Sequence, residues 1–343
     1  MVKDKQLVAI DLFSGCGGLS EGLKHSGFSV LAAIELDLKA AETYRLNHPE
    51  VSLLNEDIKR IDPVELMEKL NVKPGEVDLI AGCPPCQGFS RLRTKNKSGS
   101  VRDERNDLIE SFFVFVNAIK PKCVMLENVP SIADDDRFLK VYEELNKAGY
   151  QCVYDVLDAS DYNVPQRRKR LILLGSRVGK VTLAEKSLKK NTVRHAIEGL
   201  GAAGDSGDEI HDMPEKRSKE VKNIISMIPK DGGSRFELPE KYHLACYKRS
   251  GGFRDVYGRM SWDKVSPTIT SGCHNPSKGR FLHPEDNRAI TLREAAILQG
   301  FPEQYRFISS HGKESIALMV GNALPPPFIR AHADSLKKLL MDG

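Results

Sequence analysis

Two thiols flank a pair of prolines in Cys83-Pro84-Pro85-Cys86, directly after residues 77–82, a short apolar run closed by Gly82. Proline has no backbone donor and fixes φ, so neither strand nor helix runs through the pair. Cys86 is thereby expected on a stiff turn just beyond a strand end. Ligands of open α/β sheets bind at that edge, and a thiol held there reads as a nucleophile. Other chemistries compete. A cysteine is often a small buried hydrophobe, and C-x-x-C can be a redox pair or half of a zinc site. Zinc needs a second close pair, and His243, Cys246, Cys273 and His274 are far away in sequence. A redox dithiol wants a helix starting within the motif, which Pro84-Pro85 fits poorly. No metal is expected.

Acid and cation come from later segments. Residues 123–126 read as a buried strand, and Glu127 stands just past it. If that strand neighbours 77–81 in parallel, Glu127 lies beside Cys86. Arg167-Arg168-Lys169-Arg170 is a run of four cations, ordinarily a solvated patch. Here it falls between two strand candidates, 152–157 and 171–174, so some of these side chains are expected to face the crevice.

A third constellation lies near the N-terminus. Residues 7–13 read as a strand, 19–26 as a helix ended by Gly27, and 28–34 as a second strand ended by Glu35. Ser14-Gly15-Cys16-Gly17-Gly18 lets the backbone turn tightly and approach a ligand. Glu35 could accept from two ribose hydroxyls, which implies a nucleotide-like cofactor. Ser20 occupies the third glycine position of G-x-G-x-x-G, so a smaller adenosine compound fits better than a dinucleotide. Residues 53–58 look like a third strand. Asp57 near its end could accept from an adenine amino group while Ile58 packs on the ring; the blander reading is a surface acid.

These groups need a parallel sheet with helices. Helices are expected over 39–47, 108–119, 138–148 and 292–298, and at the C-terminus after Pro325-Pro326-Pro327. Residues 91–105 are polar, with six basic residues against two acidic. A loop that long is usually functional or disordered, and this one suits a basic lid over a phosphate-bearing substrate. Residues 180–275 carry no trusted period and are expected to be irregular. Tyr242, Tyr247, Phe253, Tyr257 and Trp262 are interleaved there with Lys and Arg, a mix that suits nucleic acid or a small satellite core.

The 343 residues suggest two domains. Net charge is +4, yet residues 180–280 alone carry +6, which fits a polyanion partner for that part or a solvated basic face. The seven scattered cysteines fit reduced thiols. No apolar run approaches the length of a membrane span and the first residues are charged. A soluble cytoplasmic protein, associated with the nucleoid, is expected.

Taken together, the motifs resemble those of the DNA (cytosine-5) methyltransferases over nearly the full chain. They are Asp11-Leu12-Phe13-Ser14-Gly15-Cys16-Gly17-Gly18, Pro84-Pro85-Cys86-Gln87-Gly88-Phe89-Ser90, Glu127-Asn128-Val129, Gln166 to Arg170, Arg293-Glu294 with Gln299-Gly300-Phe301-Pro302, and Gly321-Asn322-Ala323, in the family's order and spacing. The resemblance implies a doubly wound, Rossmann-like α/β class I methyltransferase sheet. It places an S-adenosylmethionine-binding catalytic domain at 1–178 and 316–343 and a smaller irregular target-recognition domain at 179–315. It implies S-adenosylmethionine as donor, S-adenosylhomocysteine as product, and cytosine in a specific duplex DNA sequence as substrate. By similarity, Cys86 adds to cytosine C6, Glu127 protonates N3, Arg168 holds the base and Arg170 supports the site. Water is the expected acceptor of the C5 proton. The donor pocket takes Phe13, Cys16, Gly17, Gly18, Glu35, Leu36, Asp57, Ile58, Leu108, Asn322 and Ala323. Leu36 stands where many relatives carry an aromatic, so adenine stacking leans on Phe13 and Ile58. Pro85, Gln87, Ser90, Arg91, Arg93 and Lys97 are expected at the DNA.

The buried target carbon requires the base to be flipped out of the duplex. A monomer is expected, either solitary or paired with a cognate restriction endonuclease acting separately in a restriction-modification system. Three rival functions are a tRNA cytosine-5 methyltransferase of the same fold, a nicotinamide oxidoreductase with a C-x-x-C pair, and a catalytically dead DNA-binding regulator. The tRNA branch carries a Cys-Phe-Thr tripeptide that is absent here. The incomplete glycine motif opposes the oxidoreductase, and intact Cys86, Glu127 and Arg168 oppose the regulator.

Overall fold

β1 (Val8–Leu12) is apolar apart from Asp11 and almost wholly buried. In the computed structural model, which describes residues 6–85, 108–243 and 255–342, it is an interior strand of a sheet. A turn leads into α1 (Gly18–Ser26), which ends at Gly27 in the left-handed region, its N–H closing on the Leu23 and Lys24 carbonyls. β2 (Ser29–Ile34) follows, then α2 (Leu38–Asn47), N-capped by the Asp37 side chain. Next come β3 (Ser52–Leu54), α3 (Pro63–Leu70), β4 (Leu79–Gly82), α4 (Leu108–Ile119), β5 (Cys123–Asn128), α5 (Asp136–Lys147), β6 (Gln151–Asp158) and β7 (Lys169–Ser176).

Among the described residues these strands form one sheet in the order β3-β2-β1-β4-β5-β7-β6. The first five are parallel, whereas β7 runs antiparallel to both β5 and β6. The expected α/β fold is therefore present, with an antiparallel edge. Strand order reverses between β1 and β4, and a ligand crevice opens beyond the carboxyl ends of the strands at such a point. Phe112 and Phe115 of α4 and Phe138 of α5 pack with Ile80, Val124 and Leu173 in one core cluster.

Several local expectations shift. The third strand stops at Leu54, and Ile58 instead opens a single 3-10 turn capped by Asp57. Helix α3 was not foreseen, although Asp62-Pro63 is a helix-start signal: the Asp62 side chain accepts from Val64 N, and Pro63 takes the first turn. Glu127 lies within β5 rather than past it, and Lys169 and Arg170 belong to β7.

The chain divides into two compact units. The first holds residues up to Tyr162, Lys169–Lys186 and Leu324 onward; the second holds Asn163–Arg168 and Ser187–Ala323. Residues 163–168 and 316–323 thus group with the second unit. That unit contains α6 (Val193–Ile197), α7 (Lys219–Met227), α8 (Leu292–Gln299) and α9 (Lys313–Asn322), joined by irregular segments and isolated bridges. It is less irregular than the sequence suggested. Ser218 caps α7, and Ile224 and Ile225 pack with Ile228, Leu238 and Leu282 in a small core. Arg259 is fully buried there. Its guanidinium donates to the carbonyls of Ile225, Ile228, His283 and Asp286 and to Asn287 Oδ1.

The last helix, α10 (Pro326–Asp342), returns to the first unit and packs on α1. Gly22 makes the approach: a Cβ there would lie 2.7 Å from both Ile329 Cβ and the Pro326 carbonyl oxygen. Phe328 meets Tyr162 and His332 edge to face beside it, and the Tyr162 and His332 rings are tilted by 47°.

Candidate active site

The parallel register pairs Gly82 of β4 with Leu126 of β5, so the next residues, Cys83 and Glu127, are neighbours. Cys83 Sγ donates to Glu127 Oε2 at 2.9 Å. Gly82 has room for no side chain, because a Cβ would sit 2.9 Å from the Leu12 carbonyl oxygen. Asn128 Nδ2 donates to the Pro84 carbonyl at 3.0 Å, which ties the proline turn to the end of β5. The antiparallel register pairs Glu127 with Ile172. Arg170, two positions before Ile172, shares its face of the sheet, and its Nε lies 3.0 Å from Glu127 Oε1. A nearly inaccessible carboxylate is thus held by a cation and a thiol, three residues along the chain from Cys86. Cys86 itself, with Gln87, Ser90, Arg91, Arg93 and Lys97, lies outside the described residues.

A second polar cluster stands at the ends of β1 and β2. Glu35 Oε2 accepts from Gly15 N at 2.8 Å and Oε1 from Asp37 N at 2.7 Å. Burial raises the Glu35 pKa, with these backbone bonds opposing. Each carboxylate oxygen keeps a lone pair, so the group can still accept from two hydroxyls. Asn55 Nδ2 donates to the carbonyls of Glu35 and Leu36 and pins that turn. Phe13 has φ 64, a left-handed conformation that is uncommon for a residue with a Cβ, and Gly15 and Gly17 also have positive φ. The three positive φ values mark a tight, strained backbone turn of the kind found at ligand sites. Leu36 is 68% exposed. Asp57 spends Oδ1 on Lys59 N, and Ile58 is buried in the core cluster with Leu108 packed against it. Cys16 is buried, and burial pushes its thiol up to about 12.

Within the second unit, the remaining motifs meet through buried amides. Gln166 Nε2 donates to Gln299 Oε1 at 2.6 Å, and Gln166 Oε1 accepts from Ile269 N at 2.8 Å. Gln299 Nε2 in turn donates to the Ala323 carbonyl. Arg168 is buried and gives its guanidinium to the carbonyls of Ile269, Gly321 and Ala323. Only glycine fits at 321, where a Cβ would meet Ser271 N at 2.3 Å. Arg293 and Glu294 are structural: Arg293 pairs with Asp208, and Glu294 completes a capping box with Thr291 and pairs with Arg288.

Comparison with known proteins places this arrangement. The model of the C-5 cytosine-specific DNA methylases matches residues 7–338. The chain belongs to that family. As a DNA (cytosine-5)-methyltransferase it is 33% identical to the Type II methylase M.HgiDII of Herpetosiphon aurantiacus, over 96% of this chain and 95% of the relative. It is equally 33% identical to the Type II methyltransferase M1.HphI of Haemophilus parahaemolyticus, over 97% and 87%. A crystal structure described as a prophage-encoded DNA modification methyltransferase of E. coli superposes with TM-score 0.75 at 26% identity, covering 98% of this chain and 99% of the other.

In this methyltransferase, sequence reasoning missed Cys83, Asn55 and Asn128. Asn128 stood in a recognised motif, but its hold on Pro84 could not be read from it. The aromatic residues of the second unit meet cations of their own chain. The Arg235 guanidinium lies 4.8 Å from the Tyr257 ring, and that of Arg194 lies 5.4 Å from Trp262. Tyr247 and Phe253 lie outside the described residues. Among the described residues no helix is long and apolar enough to cross a membrane.

Proposed function

We propose that the protein transfers a methyl group from S-adenosylmethionine to C5 of a flipped-out cytosine in a specific duplex DNA sequence, through a covalent Cys86–C6 adduct. The observation that carries this reading is Glu127, a buried carboxylate paired with Arg170 on the strand beside the one that runs into Cys86. Cytosine C5 is a poor nucleophile. Attack of the Cys86 thiolate forms the S–C6 bond and makes C5 electron-rich. Negative charge then gathers on the ring, and a proton from Glu127 at N3 relieves it. After methylation, the C5 proton leaves to water, the S–C6 bond breaks, the thiolate departs and N3 returns its proton to Glu127.

Phe13, Gly15, Gly17, Gly18, Glu35 and Leu36 are the residues to hold the donor, with Glu35 taking the ribose hydroxyls and Cys16 buried behind the turn. Bound there, S-adenosylmethionine supplies an electrophilic methyl group. Arg170 is the cation at the reacting carboxylate, and Arg168 is the residue to help hold the base, itself braced where Nη1 and Nη2 donate to the carbonyls of Ile269, Gly321 and Ala323. The first unit is the catalytic domain and the second reads the target. Its Type II relatives favour a restriction-modification context, with the protein acting as a cytoplasmic monomer beside any cognate endonuclease.

The test is methylation of duplex DNA against tRNA, together with capture on DNA containing 5-fluorocytosine. Fluorine blocks the final elimination, so the wild type should be trapped covalently and Cys86→Ala should not. Product on tRNA alone, or trapping by Cys86→Ala, would refute the reading.

A further inference from the structure

Behind the Phe13–Gly18 turn, three buried polar side chains make one hydrogen-bonded chain. Ser20 Oγ donates to Asp11 Oδ2 at 2.6 Å and stands 2.7 Å from the Tyr44 hydroxyl. With the Ser20 proton given to Asp11, Tyr44 is the donor to Ser20. None of the three has measurable exposure. Asp11 Oδ1 is buried as well and takes no hydrogen bond from any described residue. Apolar side chains would fill this space without leaving a carboxylate oxygen unmatched, so packing alone does not account for the set.

Its placement does. Asp11 precedes Phe13 by two residues and Ser20 follows Gly18 by two, so their bond closes the loop that carries the left-handed Phe13, Gly15 and Gly17. Tyr44 lies on α2, whose N-cap Asp37 gives its N–H to Glu35. The chain therefore joins β1, α1 and α2, the three elements from which the glycine turn and Glu35 project.

We propose that Asp11, Ser20 and Tyr44 are positioning residues for the methyl donor, fixing the Phe13–Gly18 turn and the start of α2 against each other from behind. This rests on the reading of that turn and Glu35 as the donor pocket. Burial pushes the Asp11 carboxyl up to about 7, opposed by the Ser20 bond and reinforced by Glu35. The bond from Ser20 is stronger to the carboxylate than to the neutral acid. Donor affinity should therefore rise as pH climbs through that value. The charged groups that bear on the chain are Glu35 on Asp11 and Glu50 on Tyr44, and Glu21 of α1 pairs with His25 and His48. Glu35 is itself raised by burial, so the Asp11 contribution is isolated by Asp11→Asn, which accepts from Ser20 and cannot titrate.

The experiment titrates S-adenosylmethionine and duplex DNA separately into wild type, Asp11→Asn, Ser20→Ala, Ser20→Thr and Tyr44→Phe, from about pH 6 to pH 8.5. Ser20→Ala should weaken donor binding about tenfold, the loss of a charge-assisted bond, and leave DNA affinity within about twofold. Ser20→Thr should recover most of the loss, and Asp11→Asn should flatten the pH dependence. If Ser20→Ala fails to fold, the Asp11→Asn profile and the Tyr44→Phe affinity carry the test. Donor binding equal to wild type at every pH overturns the proposal alone, as does a parallel fall in donor and DNA affinity. A wild type that binds no donor overturns the pocket reading and this proposal with it.

Discussion

Arg170 and Glu127 face one another across the antiparallel pair β5–β7, with Nε 3.0 Å from Oε1. The Glu127 side chain is 2% exposed and that of Arg170 17%, so the pair is scarcely screened by solvent. Replacing Arg170 by Met leaves the carboxylate without this cation and disturbs the group proposed to handle the N3 proton. The expected result is a fall of about a hundredfold or more in the single-turnover methylation rate, with donor binding retained. Rapid-quench kinetics on a short duplex measures it. An unchanged rate would remove Arg170 from the reacting centre.

Glu35 joins two backbone N–H groups to the proposed ribose site. Glu35→Ala should weaken S-adenosylmethionine binding by about 1.5–3 kcal/mol, the cost of losing hydrogen bonds to a charged acceptor. Calorimetry reads the change directly, and an affinity matching the wild type would take Glu35 out of the pocket.

Arg259 holds together four carbonyls and one amide oxygen inside the second unit. Met fills a comparable volume but donates nothing. Arg259→Met should cost about 3 kcal/mol or more of stability. Lys reaches fewer acceptors from its single nitrogen, so Arg259→Lys should fall between. Urea unfolding followed by Trp262 fluorescence ranks the three proteins.

His332 has no measurable exposure, and burial lowers its pKa from the ordinary 6.5 to about 4. Its Nδ1 meets the Phe328 carbonyl at 2.9 Å. Because the folded value lies below the unfolded one, nothing is lost above about pH 6.5. As pH falls from 6.5 toward 4, the unfolded chain takes up a proton that the folded chain refuses. This residue alone should then cost on the order of 2–3 kcal/mol by pH 4. His332→Leu should flatten that part of the acid profile while keeping stability near pH 8. Denaturant midpoints at the two ends of the range compare the variants; equal acid slopes would contradict the assignment.

Much of this protein was legible along the chain. The strands at 8–12, 29–34, 79–82 and 123–128 are short, largely apolar runs, and Gly27 ends its helix as expected, in the left-handed region. Two helices were signalled and passed over. Asp62-Pro63 opens α3, and Ser218 precedes Val221, Ile224 and Ile225 at helical spacing in α7. The places of Glu127 beside the strand that leads to Cys83 and of Glu35 after β2 also followed from residue position, because strand ends in a parallel sheet gather at one edge.

Which side chains touch was decided only by the tertiary structure. Arg168 and Arg170 are two positions apart and chemically alike, yet one lies before β7 and is spent on the carbonyls of Ile269 and Gly321, while the other lies within it and meets Glu127. Cys83 reaches Glu127 across 44 residues, and Gln166 reaches Gln299 across 133. Periodicity along a chain reports which face of an element is buried. It carries nothing about the register between distant elements, and a polar bond needs its partner within a few tenths of an ångström of ideal distance and near the correct angle. That register is set by packing the whole core at once.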